Sequence, residues 1–352
     1  MIDTAAFRFV SARTANRLVA GVPAAARIAR AYAEVRAGAP SVPMPVLVLV
    51  LEDGGDLSPF ARAEIARLAP SVAAVVESGA RQDAIPGETL PDAAAIAALI
   101  AEAAPVLPSP ADPDATLEQA NRKIIRATAK PGDGIVSRRL NRPLSQAVSA
   151  LLLRFDWVRP GQATALTGAI ALTMAACLLT GTFAGLVAGA VLFQIASIAD
   201  GIDGEIARAT YRTSPSGAAW DSAVDAATNL GFLGGVIANL ALRGQTAVAL
   251  IGLAGLGILA LGMGLLGQYA RARGEPLNFD GAKALLAGRE TALTRWLRYL
   301  TMRDFYCLFL AVTIALGWVT AALTIFTAAA AVWLMAVIAL LVRARAPARR
   351  QA

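Results

Sequence analysis

Asp200-Gly-Ile-Asp203-Gly204-Glu-Ile-Ala207-Arg208, followed by Gly217, Asp221 and Asp225, is the stretch on which the reading of this chain turns. Written as spacing it is D-x2-D-G-x2-A-R-x8-G-x3-D-x3-D. It sets aspartates and helix-permissive glycines into an apolar half of the sequence, where each ionised side chain costs ~2.5–3.5 kcal/mol on insertion scales. Asp200 and Asp203 stand three apart, and Asp221 and Asp225 four apart. Each pair therefore projects from one face of its own helix, and the carboxylates can converge between two helices.

The composition around the motif divides the chain by solvent. The 352 residues are 57% hydrophobic, yet the first third reads as ordinary soluble sequence, so two regions are expected. Met1 to Arg8 offers no apolar run behind a basic start, and no cleavable secretory signal is expected. Histidine is absent from the chain, which removes the imidazole base and leaves acid–base chemistry to carboxylates. Cys177 and Cys307 each lie in an apolar run, far apart, and read as buried small hydrophobes. The net charge of +7 sits at the ends of apolar spans. That placement points to anionic headgroups and phosphate-bearing substrates, with no nucleic acid partner.

Within residues 1–104 the pattern predicts a small cytoplasmic α/β domain. Thr14 to Ala37 has helical periodicity interrupted at Gly21-Val-Pro23; Met44 to Leu51 and Ser71 to Val76 read as strands; Ser58 to Leu68 and Pro91 to Ala104 read as helices. Strand, helix, strand implies a parallel pair. Residues 105–160 form a linker: Pro105 to Pro113 is rich in proline, Thr116 to Ala129 is helical, and Leu144 to Trp157 alternates faces as an interfacial helix does. Residues 161–345 then hold six apolar spans, at about 164–180, 182–199, 223–242, 246–267, 304–318 and 320–342, each approaching the ~20 residues a bilayer needs. Arginines collect at alternate connections, so the positive-inside rule places both termini and the aspartate cluster on the cytoplasmic side of the inner membrane.

Carboxylates crowded together repel one another, whereas one or two divalent cations favour their ionised form. Mg²⁺ or Mn²⁺ suits an all-oxygen set, and the lack of histidine argues against zinc. Phosphoryl-type transfer needs its charge neutralised and its oxygens held in line, which a pair of metals about 3.5–4 Å apart achieves. Gly204, Ala207 and Gly217 are small enough for backbone to approach a ligand, and Arg208 offers positive charge.

The complete motif resembles the signature of the CDP-alcohol phosphotransferase (CDP-alcohol phosphatidyltransferase) family. The resemblance implies transfer of a phosphoalcohol, of phosphatidyl or phosphoinositol type, from a CDP-alcohol to an acceptor hydroxyl with release of CMP, in phospholipid or inositol-phosphate biosynthesis. It assigns Asp200, Asp203, Asp221 and Asp225 to metal binding, Asp225 also to the base, and it implies that the ligand approached by Gly204, Ala207 and Gly217 is the cytidine diphosphate. It also implies a homodimer. Many members carry Pro-Asn-x-x-Thr before the first span; here Pro160 and Thr164 match while Gly161 replaces the asparagine, so Thr164 alone is carried over as a donor contact. The segment Lys130…Asp133-Gly134…Ser137-Arg138…Asn141-Arg142, with Arg303-Asp304, resembles the di-myo-inositol phosphate phosphate synthase branch. Ala20 to Arg27 faintly resembles a sugar nucleotidyltransferase without its glycine-rich loop, as a degenerate remnant would. Arg271, Arg273 and Arg303 are candidates for an acceptor's phosphate, with topology alone as the competing explanation. An aspartate-rich polyprenyl transferase, and a non-catalytic membrane scaffold or ion-binding protein, stand as alternatives.

Overall fold

The computed structural model describes residues 4–37, 45–81, 83–101, 109–272 and 302–345. These fall into two compact units: residues 1–131, 142–163 and 201–218 in the first, and 132–141, 164–200 and 219–352 in the second.

The first unit opens with β1 (Thr4–Phe9), whose alternation sends Ala5, Phe7 and Phe9 into the core. After α1 (Ala12–Asn16), a two-residue turn with Ala20 at φ 45° and Gly21 at φ 78° joins β2 (Leu18–Val19) to β3 (Val22–Pro23). Both central residues in the left-handed region are what a tight antiparallel hairpin requires, which explains why the helical periodicity breaks there. The chain continues through α2 (Ala24–Ala37), β4 (Val46–Leu51), α3 (Pro59–Leu68), β5 (Ala73–Ser78), β6 (Ile85–Pro86) and α4 (Ala93–Ile100). Ser58 caps α3 through Ala61 N, with Pro59 in its first turn. The expected parallel pair is β4 with β5, inside a larger parallel sheet of order β5-β4-β1-β6. A core of Phe7, Phe9, Ile28, Tyr32, Leu47, Leu49, Leu51 and Ile96 fills one face. Then come α5 (Pro113–Ala127), capped by Asp112, and α6 (Arg142–Leu152).

Helix α6 is amphipathic in the inverted sense. Ser145 and Ser149 are buried, whereas Leu144, Val148 and Leu151 are exposed, as are Phe155 and Trp157 beyond its end. An outward apolar face with polar residues inward is what a helix bordering lipid displays.

The second unit is helical. Among the described residues, five helices are long and apolar enough to cross a membrane: α7 (Pro160–Leu178), α8 (Phe183–Ala209), α9 (Pro215–Leu242), α10 (Thr246–Ala272) and, after the short α11 (Arg303–Ala315), α12 (Val319–Arg345). The first three run through both units. The protein is thus a multi-pass, mostly helical membrane protein with an α/β region at its N-terminus. The expected fifth span is the exception in length: α11 has 13 residues, about 20 Å at 1.5 Å per residue against a ~30 Å hydrocarbon core. Its core is built around Phe193 and Phe232, stacked at 3.9 Å, with Met174, Leu178, Val236, Leu310 and Leu323. Leu178 fills the space that side chains at Gly189 and Gly235 would occupy, 2.5 and 2.6 Å from their missing Cβ positions. Small residues let three helices approach closely where lipid offers no hydrophobic drive to associate.

Candidate metal centre

Asp200 lies near the end of α8, and Asp221 and Asp225 occupy successive turns of α9. Ser214 sets the register of α9 by accepting from Gly217 N at 3.0 Å, with Pro215 as the first helical residue. One carboxylate oxygen from each of Asp200, Asp221 and Asp225 lies within 4.8 Å of the others, and all three side chains are half-buried. If ionised, two such charges repel by about 3 kcal/mol at an effective dielectric near 20. A cation held at about 2.1–2.6 Å by oxygen ligands draws on donors about 3–5 Å apart. The oxygen-only donor set and its spacing therefore suit a divalent cation.

Asp203, one turn beyond Asp200, falls outside that trio; it is buried and accepts from its own neighbour Gly204 N. The missing Cβ of Gly204 leaves room for the Arg208 guanidinium, with Nη1 2.9 Å away. Arg208 in turn donates from Nε to the Thr128 carbonyl at 2.8 Å, at the C-terminus of α5 where positive charge is favoured. Ala207 is half-buried, Gly217 exposed, and Thr164 half-buried in the first turns of α7. Arg271 is exposed at the end of α10; Arg303 starts α11, and Arg273 lies outside the described residues.

The segment before α6 reaches Asp304. Ser137 N donates to the Asp304 carboxylate at 2.6 Å, and that carboxylate lies where a Cβ on Gly134 would stand. Gln194 donates to Asn141 at 3.0 Å, and Asn141 to Ser197 at 3.3 Å, tying this segment to α8 within the second unit.

Motif spacing left Glu205 unremarked. Its carboxylate is fully buried and accepts from Arg142 at 2.8 Å, Ser145 at 2.6 Å and Ser149 at 2.7 Å. Arg142 passes over the backbone at Gly201, 2.9 Å from the absent Cβ, on the way. A signal existed in the sequence: a glutamate inside an apolar helix, and serines four apart on the polar side of α6.

In the α/β region, the position beyond the C-terminal ends of β1 and β6, where strand order reverses, is where open parallel sheets take ligands. Here Glu88, almost completely buried, accepts from Val10 N at 2.7 Å and Thr14 Oγ1 at 3.0 Å, while Asp53 accepts from Ala12 N at 2.9 Å. The backbone donors that would meet a phosphate are taken by the chain's own carboxylates.

A family model described as CDP-alcohol phosphatidyltransferase matches residues 157–333, half of the chain, and encloses the aspartate trio. The chain belongs to the CDP-alcohol phosphatidyltransferase family. Its members are transferases of phosphate-containing groups, and the expected resemblance holds. Among curated relatives of this CDP-alcohol phosphatidyltransferase-family chain are proteins named "Bifunctional IPC transferase and DIPP synthase". That of Thermococcus kodakarensis is 42% identical over 118 residues, 33% of this chain and 26% of the relative. That of Aquifex aeolicus is 37% identical over 131 residues, 35% and 28% respectively. That of Rubrobacter xylanophilus is 36% identical over 174 residues, 48% and 37%. The chain thus spans between about a quarter and two fifths of the length of these relatives.

Proposed function

We propose that the protein transfers a phosphoalcohol from a CDP-alcohol to an acceptor hydroxyl with release of CMP, and that Asp200, Asp203, Asp221 and Asp225 hold Mg²⁺ or Mn²⁺, two ions in number. The observation that carries this reading is the convergence of Asp200, Asp221 and Asp225 within 4.8 Å in a chain with no histidine. Bound divalent ions would neutralise the diphosphate and stabilise the charge that develops on its oxygens. Asp225, one turn beyond Asp221 on α9, takes the proton of the acceptor hydroxyl as that oxygen bonds to phosphorus. The bond from phosphorus to the CMP oxygen breaks with its electron pair on CMP. Gly204, Ala207 and Gly217 leave backbone accessible to the cytidine diphosphate, with Arg208 and Thr164 as further donor contacts.

The relatives' names favour a phosphoinositol-type donor over CDP-diacylglycerol, and Arg271, Arg273 and Arg303 are assigned to a phosphate on the acceptor. The arginine asymmetry favours a cytoplasmic site in the inner membrane, and the family favours a homodimer among membrane lipids. Purified full-length protein should release CMP from CDP-inositol, CDP-glycerol or CDP-diacylglycerol when Mg²⁺ or Mn²⁺ is present, and none after chelation. Failure with all three donors across a range of hydroxyl acceptors overturns the reading; release that survives chelation removes the metal from it.

A further inference from the structure

Helix α8 carries most of the motif, and its last turn ends in an unusual way. Tyr211 sits at φ 55°, in the left-handed region that glycine ordinarily supplies at a helix C-terminus. For a residue with a Cβ this conformation costs about 1–2 kcal/mol. Arg212 N donates to the Ala207 carbonyl at 2.9 Å and Tyr211 N to that of Arg208 at 3.5 Å, which is the Schellman pattern. Among the described residues, the next three carbonyls have no such backbone partners. They are closed by guanidinium groups: Arg27 donates to Ala209 O at 2.8 Å, and Arg67 to Thr210 O at 2.9 Å and Tyr211 O at 3.2 Å. Every carbonyl from Ile206 to Tyr211 is thereby accounted for, since Thr210 N and Oγ1 both donate to Ile206 O.

The tyrosine explains the strain. Its hydroxyl accepts from Arg27 at 3.0 Å and its ring lies under Arg30, 3.7 Å from guanidinium carbon to centroid. Arg27 is itself buried and anchored to the Val19 and Ala20 carbonyls at 2.8 and 3.1 Å, the hairpin before α2. Burial pulls the Arg27 guanidinium below its usual value, and Tyr211 beside it acts in the opposite direction. Glu64, also buried, bridges Arg67 at 2.5 Å and Arg212 at 2.6 Å. A glycine at 211 would end the helix without strain but would reach none of these groups.

We propose that the α/β region is a clamp for the motif helix, in which Tyr211 is plugged between Arg27 and Arg30 while Arg27 and Arg67 close the helix end. The clamp holds the turn bearing Asp203, Gly204, Ala207 and Arg208 at one rotation and height. Tyr211, Arg27 and Arg67 are positioning residues for the transfer reaction, and in that respect the inference rests on the function proposed above. The self-filled donors at Val10 and Ala12 agree with it: the chain's own carboxylates occupy them, while Arg27 and Arg67 of this region are turned on the end of α8.

The test uses full-length protein in detergent with Tyr211→Gly, Tyr211→Phe and Arg67→Met. Tyr211→Gly should lower kcat for CMP release by about 10- to 100-fold, the effect of a reacting group displaced by a fraction of an ångström to one ångström, with little change in KM for the CDP-alcohol. Tyr211→Phe keeps the ring and should recover most of that rate. Amide hydrogen exchange between residues 203 and 212 should accelerate in Tyr211→Gly and Arg67→Met, without a matching change in α10 or α12. The proposal is overturned by a Tyr211→Gly kcat close to wild type, by a change in KM alone, or by equal losses in the glycine and phenylalanine variants. If wild-type protein releases no CMP at all, exchange decides the clamp by itself: local acceleration sustains it and unchanged protection ends it. Should Tyr211→Gly not fold, Arg67→Met carries the same comparison.

Discussion

Replacing Asp225 by asparagine is expected to lower CMP release by about 10²–10⁴-fold, the usual contribution of a positioned general base. Asparagine keeps the size and one oxygen of the side chain and removes its ability to take a proton. Because Asp200 and Asp221 remain within reach of the same centre, CDP-alcohol binding should fall far less than turnover. Equilibrium binding of a CDP-alcohol beside steady-state kinetics separates the two. Matching losses in both would leave Asp225 as a ligand alone, and a variant within a few-fold of wild-type turnover would remove the residue from the chemistry. Asp221→Asn, by contrast, should weaken Mn²⁺ binding, read by its paramagnetic signal, along with activity.

The second large effect is on stability, and concerns Glu205→Ala. The carboxylate is completely buried and has three partners, Arg142, Ser145 and Ser149. Its removal leaves the Arg142 guanidinium, 11% exposed, without its buried counter-charge, a change that costs on the order of 3–5 kcal/mol. Pairing Glu205→Met with Arg142→Met removes both charges and should restore much of the loss, since the serines can turn to carbonyls of their own helix. Thermal unfolding in detergent measures this. A single variant losing under about 1 kcal/mol, the range of an exposed pair, would show that the buried network does not hold α6 to α8.

Much of the fold was legible for a simple reason: apolar runs, long for helices and short for strands, are local patterns. The strands at Val46–Leu51 and Ala73–Ser78, the Ser58 cap and the spans of α7 to α10 and α12 all follow from them. The central strand β1 is less visible, because Thr4 to Phe9 is short and contains two alanines and an arginine; its pairing with β4 and β6 is what makes it a strand. The shortness of α11 is equally invisible to hydropathy, which continues past Ala315 through the turn at Gly317.

The sequence by itself determined the family motif and its donor set. Aspartates at three- and four-residue spacing on apolar helices, in a chain with no histidine, offer oxygen donors, and helical periodicity places each pair on a single face whatever the tertiary structure. Only the tertiary structure brings carboxylates of separate helices together: an oxygen of Asp200 lies within 4.8 Å of Asp221 and Asp225, and Asp203, one turn on, accepts from Gly204 N. It alone decided that Glu205 and Tyr211 matter, because their partners Arg142 and Arg27 lie 63 and 184 residues away in the chain. Spacing along one helix is local geometry that a sequence carries openly, whereas the burial of a charge and the closing of a helix end depend on groups that only folding brings together.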